Sequence, residues 1–502
     1  MHPAANRLAP AALVEPRLVR GAPCVRAVPR PPVRTRQPRP PRKPPLALGA
    51  VAPYLPSRKT SKHSRYLIND AKGLFVVDIE AECGTGVGAG MDAGPAAGPG
   101  EPGLLSGIRV LELGNFIAAP FATRLFADFG AEVVKIEKPG SGDELRGWRR
   151  PRGSTSMMFR TMARNKKSVT LDLRTPEGRA IALDLVRRCD VVVENFRPGT
   201  LERWGMGPDE LTAANPDVVL VRISGYGQTG PYRERAGFGG VAEAFGGLRQ
   251  ITGHADRPPV RPAAPVGDVL AGLHGAVGAL VLLLAKEKGR PHPGPRVADV
   301  ALYESVFMAV ESLVPEYDAY GMVRERTAGN LPGVVPSGVY PTSDGASVMI
   351  AGNSSGAFAR LMTAVGRADL AADASLADGD ARYAREQELD AAITKWTSER
   401  TAAEAVSVLA EAGVPAGPVC DARAIAEDEH YRARGMLRPM PVVVEDEPQE
   451  VRFPGVVPRL PGAPGRVRWV GPELGEHNDE VLGGLLGIDA ERLGDYRARE
   501  VV

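Results

Sequence analysis

The chain has 502 residues, of which 43% are hydrophobic and 24% are charged, and its formal net charge at pH 7 is +2. A chain of this length has room for about three domains, and its hydrophobic fraction is sufficient for large buried cores. The near balance of charge argues against a protein whose whole surface attracts nucleic acid.

The cysteines and the apolar runs narrow the class further. Four cysteines, Cys24, Cys83, Cys189 and Cys420, lie far apart and form no CxxC pair. This spacing argues against a disulfide framework or a zinc ribbon and favours a reducing, cytoplasmic compartment. The best candidate for a membrane span, residues 275–285, is too short to cross a bilayer, so we expect a soluble protein with no membrane partner.

The beginning of the chain differs from the rest. Residues 1–50 contain nine Arg, one Lys, twelve Pro and a single acidic residue, a net charge of +9 that leaves −7 for the remainder. We expect residues 1–103 to be a disordered Arg/Pro/Gly-rich extension, because such a segment cannot bury enough apolar surface to offset chain entropy. Three interpretations stay open: a transit peptide, a nucleic-acid-binding tail, or a start assigned too far upstream. The third is favoured, because Met91 stands in a Gly/Ala/Pro stretch just before the first ordered pattern.

From residue 104 onward, strand-like and helix-like patterns alternate. Strands are predicted at residues 108–114, 131–137, 168–173, 190–196 and 217–227, and helices at residues 118–130, 175–189 and 208–214. The first helix ends at Gly130, a typical stop, and the second begins at Thr175–Pro176, a typical start. This order predicts a doubly wound, Rossmann-like α/β domain with a parallel sheet. The turn after the first strand, GNFIAAP, lacks the GxGxxG fingerprint of dinucleotide binding.

The second half of the chain changes texture. Residues 269–288 form a long apolar helix pattern, and residues 296–314 predict a strand that runs into a helix. Residues 315–345 are rich in turn-forming residues and are interpreted as a linker. A smaller α+β domain is predicted over residues 346–413, followed by a second linker at 414–440 and a helical tail at 474–496.

Polar and basic residues follow three of the predicted strands. Lys138, Arg174 and the run Asn195–Phe196–Arg197 each come directly after a strand. Ligands of open parallel sheets bind at the carboxyl ends of the strands, so these residues suit a phosphorylated ligand, although they are equally typical of an ordinary sheet edge. The seven histidines form no HExxH or paired set, and Ser224 lacks a nucleophile elbow, so we predict neither a metal site nor a serine hydrolase.

Asp268 stands at the front of the long apolar helix, in PVGDVLAG. Asp is a preferred helix N-cap, because its oxygen accepts an orphan backbone N–H and its charge suits the positive end of the helix dipole. The residues by themselves therefore favour capping as the role of Asp268.

Three segments resemble the class III CoA-transferase family (the CaiB/BaiF type), which includes formyl-CoA transferase and α-methylacyl-CoA racemase. They are LLSGIRVLELGNFIAAPFATRLFADFGAEVVKIEKPGSGDELRGW (104–148), NKKSVTLDLRTPEGRAIALDLVRRCDVVVENFRPGTLERWGMG (165–207) and ISGYGQTGPYRERAGF (223–238). The resemblance implies two interlocked ring-shaped chains forming a homodimer. Each chain would have a large domain built from both of its ends, residues 104–314 and 441–502, with the smaller domain between the linkers.

The resemblance also implies a reaction and a site. Asp268 would be the nucleophile that takes CoA from an acyl-CoA as an aspartyl thioester and gives it to a carboxylic acid, with no cofactor or metal beyond the CoA substrate. By motif position, the CoA contacts would be Lys138, Arg174, Asn195, Phe196, Arg203 and Trp204, and the substrate pocket would include Ile117, Tyr226, Gln228, Phe238 and Gly239.

Departures from the family patterns bear on the substrate. Racemases of this family resemble the chain but have His and Asp where it has Phe238 and Gly239, and Phe cannot exchange the α-proton. Formyl-CoA transferases have Gln at Ile117 and a four-glycine run that is missing here. DRPPVRPAAPVGD resembles the branch that uses succinyl-CoA and dicarboxylates, in which Arg257 and Arg261 either bind a distal carboxylate or are surface charges. An epimerase and a non-catalytic CoA-binding protein remain as alternatives, the latter disfavoured by the presence of Asp268.

Overall fold

A computed structural model describes residues 63–70, 73–80, 102–149, 156–331 and 333–502. The chain divides into two compact units, Met1–Val87 and Gly88–Val502. In the first unit, strands β1 (His63–Asp70) and β2 (Gly73–Glu80) form an antiparallel pair, which the sequence analysis did not predict. The predictions for the rest of the extension, including the interpretation of Met91, lie outside the described residues.

The second unit is built on a parallel sheet flanked by helices. Its strands are β3 (Arg109–Glu112), β4 (Glu132–Glu137), β5 (Lys166–Thr170), β6 (Val191–Glu194), β7 (Val219–Ser224) and β8 (Arg296–Ala301). The helices in this part are α1 (Ala118–Asp128), α2 (Met157–Met162), α3 (Pro176–Val186), α4 (Thr200–Arg203), α5 (Pro208–Ala214), α6 (Gly239–Phe245), α7 (Val266–Glu287), α8 (Leu302–Ala309) and α9 (Leu313–Tyr320), with a 3₁₀ turn at Glu144–Gly147.

The strand order confirms the doubly wound prediction. The six strands are all parallel and lie in the order β5-β4-β3-β6-β7-β8. The chain winds outward from β3 in one direction and then from β6 in the other, so the switch point lies between these two strands. β5 begins at Lys166, two residues earlier than predicted. Lys166 is buried because it pairs with Glu112, and a charged residue at this position does not match the apolar pattern by which a strand is recognised.

Successive residues of each strand serve opposite faces of the sheet. Val110 of β3 joins the core beneath α1 and α7, whereas Leu111 joins the core beneath α3. The core that contains Leu111 also includes Leu482 and Tyr496 from the end of the chain.

The end of the chain also hydrogen-bonds to the sheet. Asp172 N donates to the Val501 carbonyl at 2.9 Å, and Thr170 N donates to Asn478 Oδ1 at 2.9 Å. The large domain is therefore built from the beginning and the end of the second unit, as the resemblance implied.

The smaller domain lies between these two parts of the chain. It contains an antiparallel sheet of β9 (Ser337–Pro341), β10 (Ser347–Ala351) and β11 (Ala416–Pro418), in the order β11-β10-β9. Its helices are α10 (Ser355–Ala364), α11 (Ala368–Ala371), α12 (Gly379–Ala384), α13 (Glu386–Ser398) and α14 (Ala402–Glu411), with a 3₁₀ turn at Ala374–Leu376. β9 and β11 fall within the segments interpreted as linkers, because strands of five and three residues with Gly and Pro carry too little pattern to be recognised.

The remaining elements follow the smaller domain. They are α15 (Ala422–Glu427), α16 (Glu429–Ala433), the antiparallel strands β12 (Leu437–Val444) and β13 (Glu447–Pro454), a π-helical turn at Asp479–Leu485 and α17 (Ala490–Ala498).

Helix α7 packs one face closely on the large domain. A Cβ on Gly272 would lie 2.7 Å from the Ala118 carbonyl oxygen, and a Cβ on Gly275 would lie 3.0 Å from Ile223 Cδ1, so small residues allow the helices and sheet to approach. Its opposite face is exposed at Val277 and Val281. With 22 residues, α7 is long and apolar enough to cross a membrane by length and composition alone, so the prediction based on residues 275–285 was wrong about its length.

Candidate active site

The ends of β3 and β6 are tied together at the switch point. Asn115 N donates to Asn195 Oδ1 at 2.9 Å, and Asn195 Nδ2 donates to the Asn115 carbonyl at 2.8 Å. A Cβ on Gly114 would lie 2.8 Å from Asn195 Oδ1, so only glycine fits this crossing. The predicted CoA residue Asn195 is thus at the expected crevice, but its amide groups hold the backbone of the turn that leads into α1.

A buried ionic network, missed by the sequence analysis, supports the same turn. Lys135 Nζ lies 2.8 Å from each of Glu112 Oε1, the Gly114 carbonyl and Asp143 Oδ2. Lys166 Nζ donates to Glu112 Oε2 at 2.7 Å. Burial opposes ionisation of Glu112, but the two lysines outweigh it and lower the pKa of this carboxyl to about 2. The strand pattern gave no signal of this network, because apolar periodicity does not show which charged side chains pair in the interior.

Asp268 is the third residue of α7 and does not cap it. The N-cap is Pro265, and no side-chain cap hydrogen bond is present, so the capping interpretation is wrong. The carboxylate instead faces Gly239 at the start of α6, where a Cβ would lie 2.7 Å from Asp268 Cγ. Absence of a side chain at Gly239 therefore leaves the space that the carboxylate occupies.

The surroundings of Asp268 raise the pKa of its carboxyl to about 6. Burial makes the largest contribution, the negative charge of Glu243 adds to it, and the positive charge of Arg261 opposes it. The positive end of the α7 dipole favours the ionised carboxylate, but desolvation dominates because the side chain is largely enclosed.

Glu243 is a second buried carboxylate beside Asp268, and the sequence analysis missed it. Its side chain has no exposed surface, and Oε1 accepts a hydrogen bond from Gly267 N at 3.4 Å. Oε2 lies 3.3 Å from Arg261 Nε and 3.7 Å from Arg249 Nη2. The signal available in the sequence was a single acid within the small, apolar helix GGVAEAF.

Aromatic side chains border the crevice. The Phe116 ring lies 5.9 Å from that of Phe238 and 5.5 Å from that of Trp148. Phe116 has φ = 64°, and its backbone N–H donates to Asp143 Oδ1 at 3.1 Å, which fixes the backbone at this position. Phe238 is 66% exposed. Of the predicted pocket residues, Phe238 and Gly239 are thus close to Asp268, and the buried Ile117 follows Phe116 at the start of α1.

Two other predicted pocket residues lie on the loop after β7. The Tyr226 ring lies 5.5 Å from Phe245 at the end of α6 and 6.0 Å from Tyr303 of α8. Gln228 N donates to both carboxylate oxygens of Asp299, at 3.1 and 3.0 Å. Its side-chain Nε2 is buried and has no hydrogen-bond partner in the part of the chain that the structure describes.

The remaining predicted CoA contacts occupy the ends of β4, β5 and β6. Arg174 forms a two-point contact with Asp172, at 2.9 and 2.7 Å. That hydrogen bonding lowers the pKa of Asp172, and the charge of the exposed Lys138 contributes. Beyond β6, the Phe196 and Trp204 rings meet edge to face at 5.2 Å, and Arg203 Nη2 donates to the Thr200 hydroxyl at 2.9 Å. Exposed cations and a pair of aromatic rings therefore lie along one edge of the sheet.

Comparison with known proteins identifies the fold and the chemistry. The model of CoA-transferase family III matches residues 105–478. The chain is 46% identical to the succinyl-CoA–D-citramalate CoA-transferase of Chloroflexus aurantiacus over 403 residues, which is 80% of this chain and 98% of the relative. It is 41% identical to the alpha subunit of succinyl-CoA–L-malate CoA-transferase from Chloroflexus aurantiacus, with 79% and 92% covered.

A solved structure supports the same assignment. A CAIB/BAIF family protein from Brucella suis superposes with a TM-score of 0.67 at 30% identity and covers 77% of this chain and 100% of its own. The chain therefore belongs to CoA-transferase family III and is a CoA-transferase, as its resemblance to the family predicted.

Proposed function

We propose that this protein transfers CoA from succinyl-CoA to a dicarboxylic acid through covalent intermediates on Asp268. The observation that carries the proposal is the position of Asp268 beside the switch point of the sheet. Its largely enclosed carboxylate packs against Gly239, which has no side chain. The names of two relatives that cover most of the chain, each specifying succinyl-CoA and a dicarboxylate, support the substrate class.

The reaction conserves acyl activation in four exchanges. An Asp268 oxygen attacks the thioester carbonyl of the donor, the C–S bond breaks, and a mixed anhydride and CoA thiolate form. The thiolate attacks the Asp268 carbonyl, which releases the donor as a free carboxylate and leaves an aspartyl-CoA thioester. The acceptor carboxylate attacks this thioester, which releases the thiolate and forms a mixed anhydride of Asp268 and the acceptor. The thiolate then attacks the acceptor carbonyl of that anhydride. Acyl-CoA product leaves and Asp268 is again a carboxylate, with no net consumption of water or protons.

The electrostatics of Asp268 suit this role. With a pKa of about 6, the group is mainly ionised above pH 7, and it is a more basic nucleophile than an ordinary aspartate. Acylation removes its charge and therefore relieves both its burial cost and its repulsion by Glu243. The surroundings thus favour the covalent states relative to the free carboxylate.

The CoA moiety would bind along the edge of the sheet. Lys138 and Arg174 offer exposed cations to the phosphate groups, since charge-assisted contacts to phosphate are strong. Phe196 and Trp204 offer aromatic surface to the adenine, with Arg203 beside them and Asn195 fixing the turn at the crevice. This arrangement agrees with ligand binding at the carboxyl ends of parallel strands.

The racemase alternative is not supported by the geometry. A second acid–base group at position 238 or 239 would be needed to exchange the α-proton. Phe238 cannot carry a proton, and any side chain at Gly239 would collide with Asp268. The site is therefore arranged for a single nucleophile rather than for two bases.

A second copy of the chain would complete the molecule. The exposed apolar face of α7 includes Val277 at 56% and Val281 at 59%, and Tyr320 at the end of α9 is 78% exposed. Exposed apolar side chains of this size are typical of an interface. We therefore propose a homodimer that buries α7 and α9, and its mass in solution tests this.

The proposed reaction is tested with purified protein, succinyl-CoA and a panel of dicarboxylates, with mass spectrometry of the CoA esters. Wild type should form new CoA esters, and its intact mass should show a CoA adduct that maps to Asp268. Asp268→Ala should give neither. Asp256→Ala is the matched control, because Asp256 is an exposed acid twelve residues earlier and should behave as wild type. Equal products from Asp268→Ala and wild type would refute the nucleophile assignment.

A further inference from the structure

Two arginines near Asp268, Arg249 and Arg261, have guanidinium groups with incomplete hydrogen bonding among the described residues. Arg261 is half exposed, and its Nε contacts Glu243 Oε2 at 3.3 Å without forming an aligned hydrogen bond. Arg249 approaches the same oxygen at 3.7 Å, and its buried Nε has no hydrogen-bond partner within the described residues. Buried donors in native proteins are nearly always satisfied, so these guanidinium groups are available to a ligand that accepts hydrogen bonds.

The two arginines and the nucleophile share one piece of backbone. A Cβ on Gly240 would lie 2.9 Å from Arg249 Nη2 and 3.6 Å from Arg261 Cζ, whereas the adjacent Gly239 faces the Asp268 carboxylate. Adjacent Cα atoms are about 3.8 Å apart, so the cations lie within a short molecule's length of Asp268. The effect of Arg261 on the pKa of Asp268 agrees with this proximity.

The charges also change during the proposed reaction. In the free site, Glu243 and an ionised Asp268 balance Arg249 and Arg261. Once Asp268 carries an acyl group or CoA, its charge is lost, and the remaining three groups sum to +1. The enzyme with Asp268 acylated or bound to CoA therefore has a positive charge beside Asp268, where the second carboxylate of a dicarboxylate substrate would lie.

We infer that Arg261, together with Arg249, binds the non-reacting carboxylate of the dicarboxylate substrates, and that Glu243 is a positioning residue that holds both guanidinium groups beside Asp268. This inference rests on the proposed function and adds the residues that select dicarboxylates. It also distinguishes two arginines that the sequence left equivalent. The Arg257 side chain forms an ion pair with the exposed Asp256, at 3.9 Å, and no ion pair joins it to Glu243 or Asp268 within the residues that the structure describes.

The test compares succinyl-CoA with butyryl-CoA, which replaces the distal carboxylate by a methyl group. Arg261→Ala should lower kcat/KM for succinyl-CoA by about 10- to 100-fold, mainly through KM, because one charge-assisted contact is lost. It should lower kcat/KM for butyryl-CoA by less than about threefold. Arg261→Lys should restore part of the selectivity, and Arg257→Ala should match wild type with both substrates.

Glu243→Gln tests the positioning role. It should reduce the succinyl-CoA to butyryl-CoA ratio of kcat/KM while the fold, measured by circular dichroism, is kept. The half-exposed Arg261 tolerates truncation, so its variants decide the question even if Glu243→Gln does not fold.

Four results would overturn the inference or part of it. Arg261→Ala that leaves the substrate ratio unchanged refutes the carboxylate contact, and Arg257→Ala that lowers the ratio equally shows a general charge effect. An unchanged ratio in folded Glu243→Gln refutes the positioning role. If wild type transfers CoA from neither thioester, the proposed function itself fails, and the inference fails with it.

Discussion

Gly239→Ala should separate activity from stability. The added Cβ would lie 2.7 Å from Asp268 Cγ, whereas carbon atoms in contact lie about 3.5–4.0 Å apart. The carboxylate must therefore move by roughly 1 Å. A displacement of that size at a reacting group costs about 100-fold in rate.

The effect on folding should be small. Gly239 is the first residue of α6, and its φ lies outside the left-handed region, so alanine fits the backbone and restricts the unfolded chain. That gain of about 0.4–1 kcal/mol opposes the local crowding, and we expect the free energy of unfolding to change by less than about 1 kcal/mol.

Steady-state transfer from succinyl-CoA and chemical denaturation provide the two readouts. Gly494→Ala is the control, because Gly494 lies inside α17 and a Cβ added there would have open space around it. It should raise stability by about 0.5–1 kcal/mol and leave turnover unchanged. A Gly239→Ala enzyme that is as active as wild type would refute the assigned geometry of Asp268 and Gly239.

Three further predictions concern charge and hydrogen bonding. Transfer should be lost as the pH falls through about 6, because burial and Glu243 raise the pKa of Asp268 to that value and the protonated acid is no nucleophile. Glu243→Gln should move the midpoint of the pH–rate profile to lower pH. An unchanged midpoint would contradict the coupling between the two carboxylates. Asn195→Ala removes two hydrogen bonds between the ends of β3 and β6, so urea unfolding should show a loss of about 1–3 kcal/mol and the KM for CoA thioesters should rise; a variant with wild-type stability would refute the tie. Lys135→Met leaves the buried Glu112 without one of its two cations, and thermal unfolding should reveal a loss of about 3–5 kcal/mol, whereas a small loss would mean that the network relaxes.

Local patterns determined much of the large domain. Residues 108–137 predict a strand, a helix and a strand, and the structure has β3, α1 and β4 there. This succeeded because apolar periodicity and helix start and stop residues act over a few positions. The motifs that resemble the family led to the same fold and to CoA transfer, both of which the comparisons bear out.

Short or charged elements were beyond the reach of local pattern. β9 and β11 are stable only because β10 pairs with both of them. Lys166 lies in a strand at zero exposure because Glu112, far away in the chain, neutralises it. Neither circumstance is written in the neighbouring residues.

The candidate site divides in the same way. The sequence singled out Asp268 as a chemically suitable residue, but the ionisation state of its carboxyl depends on the groups that enclose it. Packing of α6 against the first turn of α7 brings Gly239, Glu243 and Arg261 to Asp268 and raises its pKa to about 6. Desolvation and charge–charge interactions depend on distance in space rather than along the chain. The tertiary structure alone therefore decided that Asp268 packs against Gly239, near Glu243 and Arg261, instead of capping its helix.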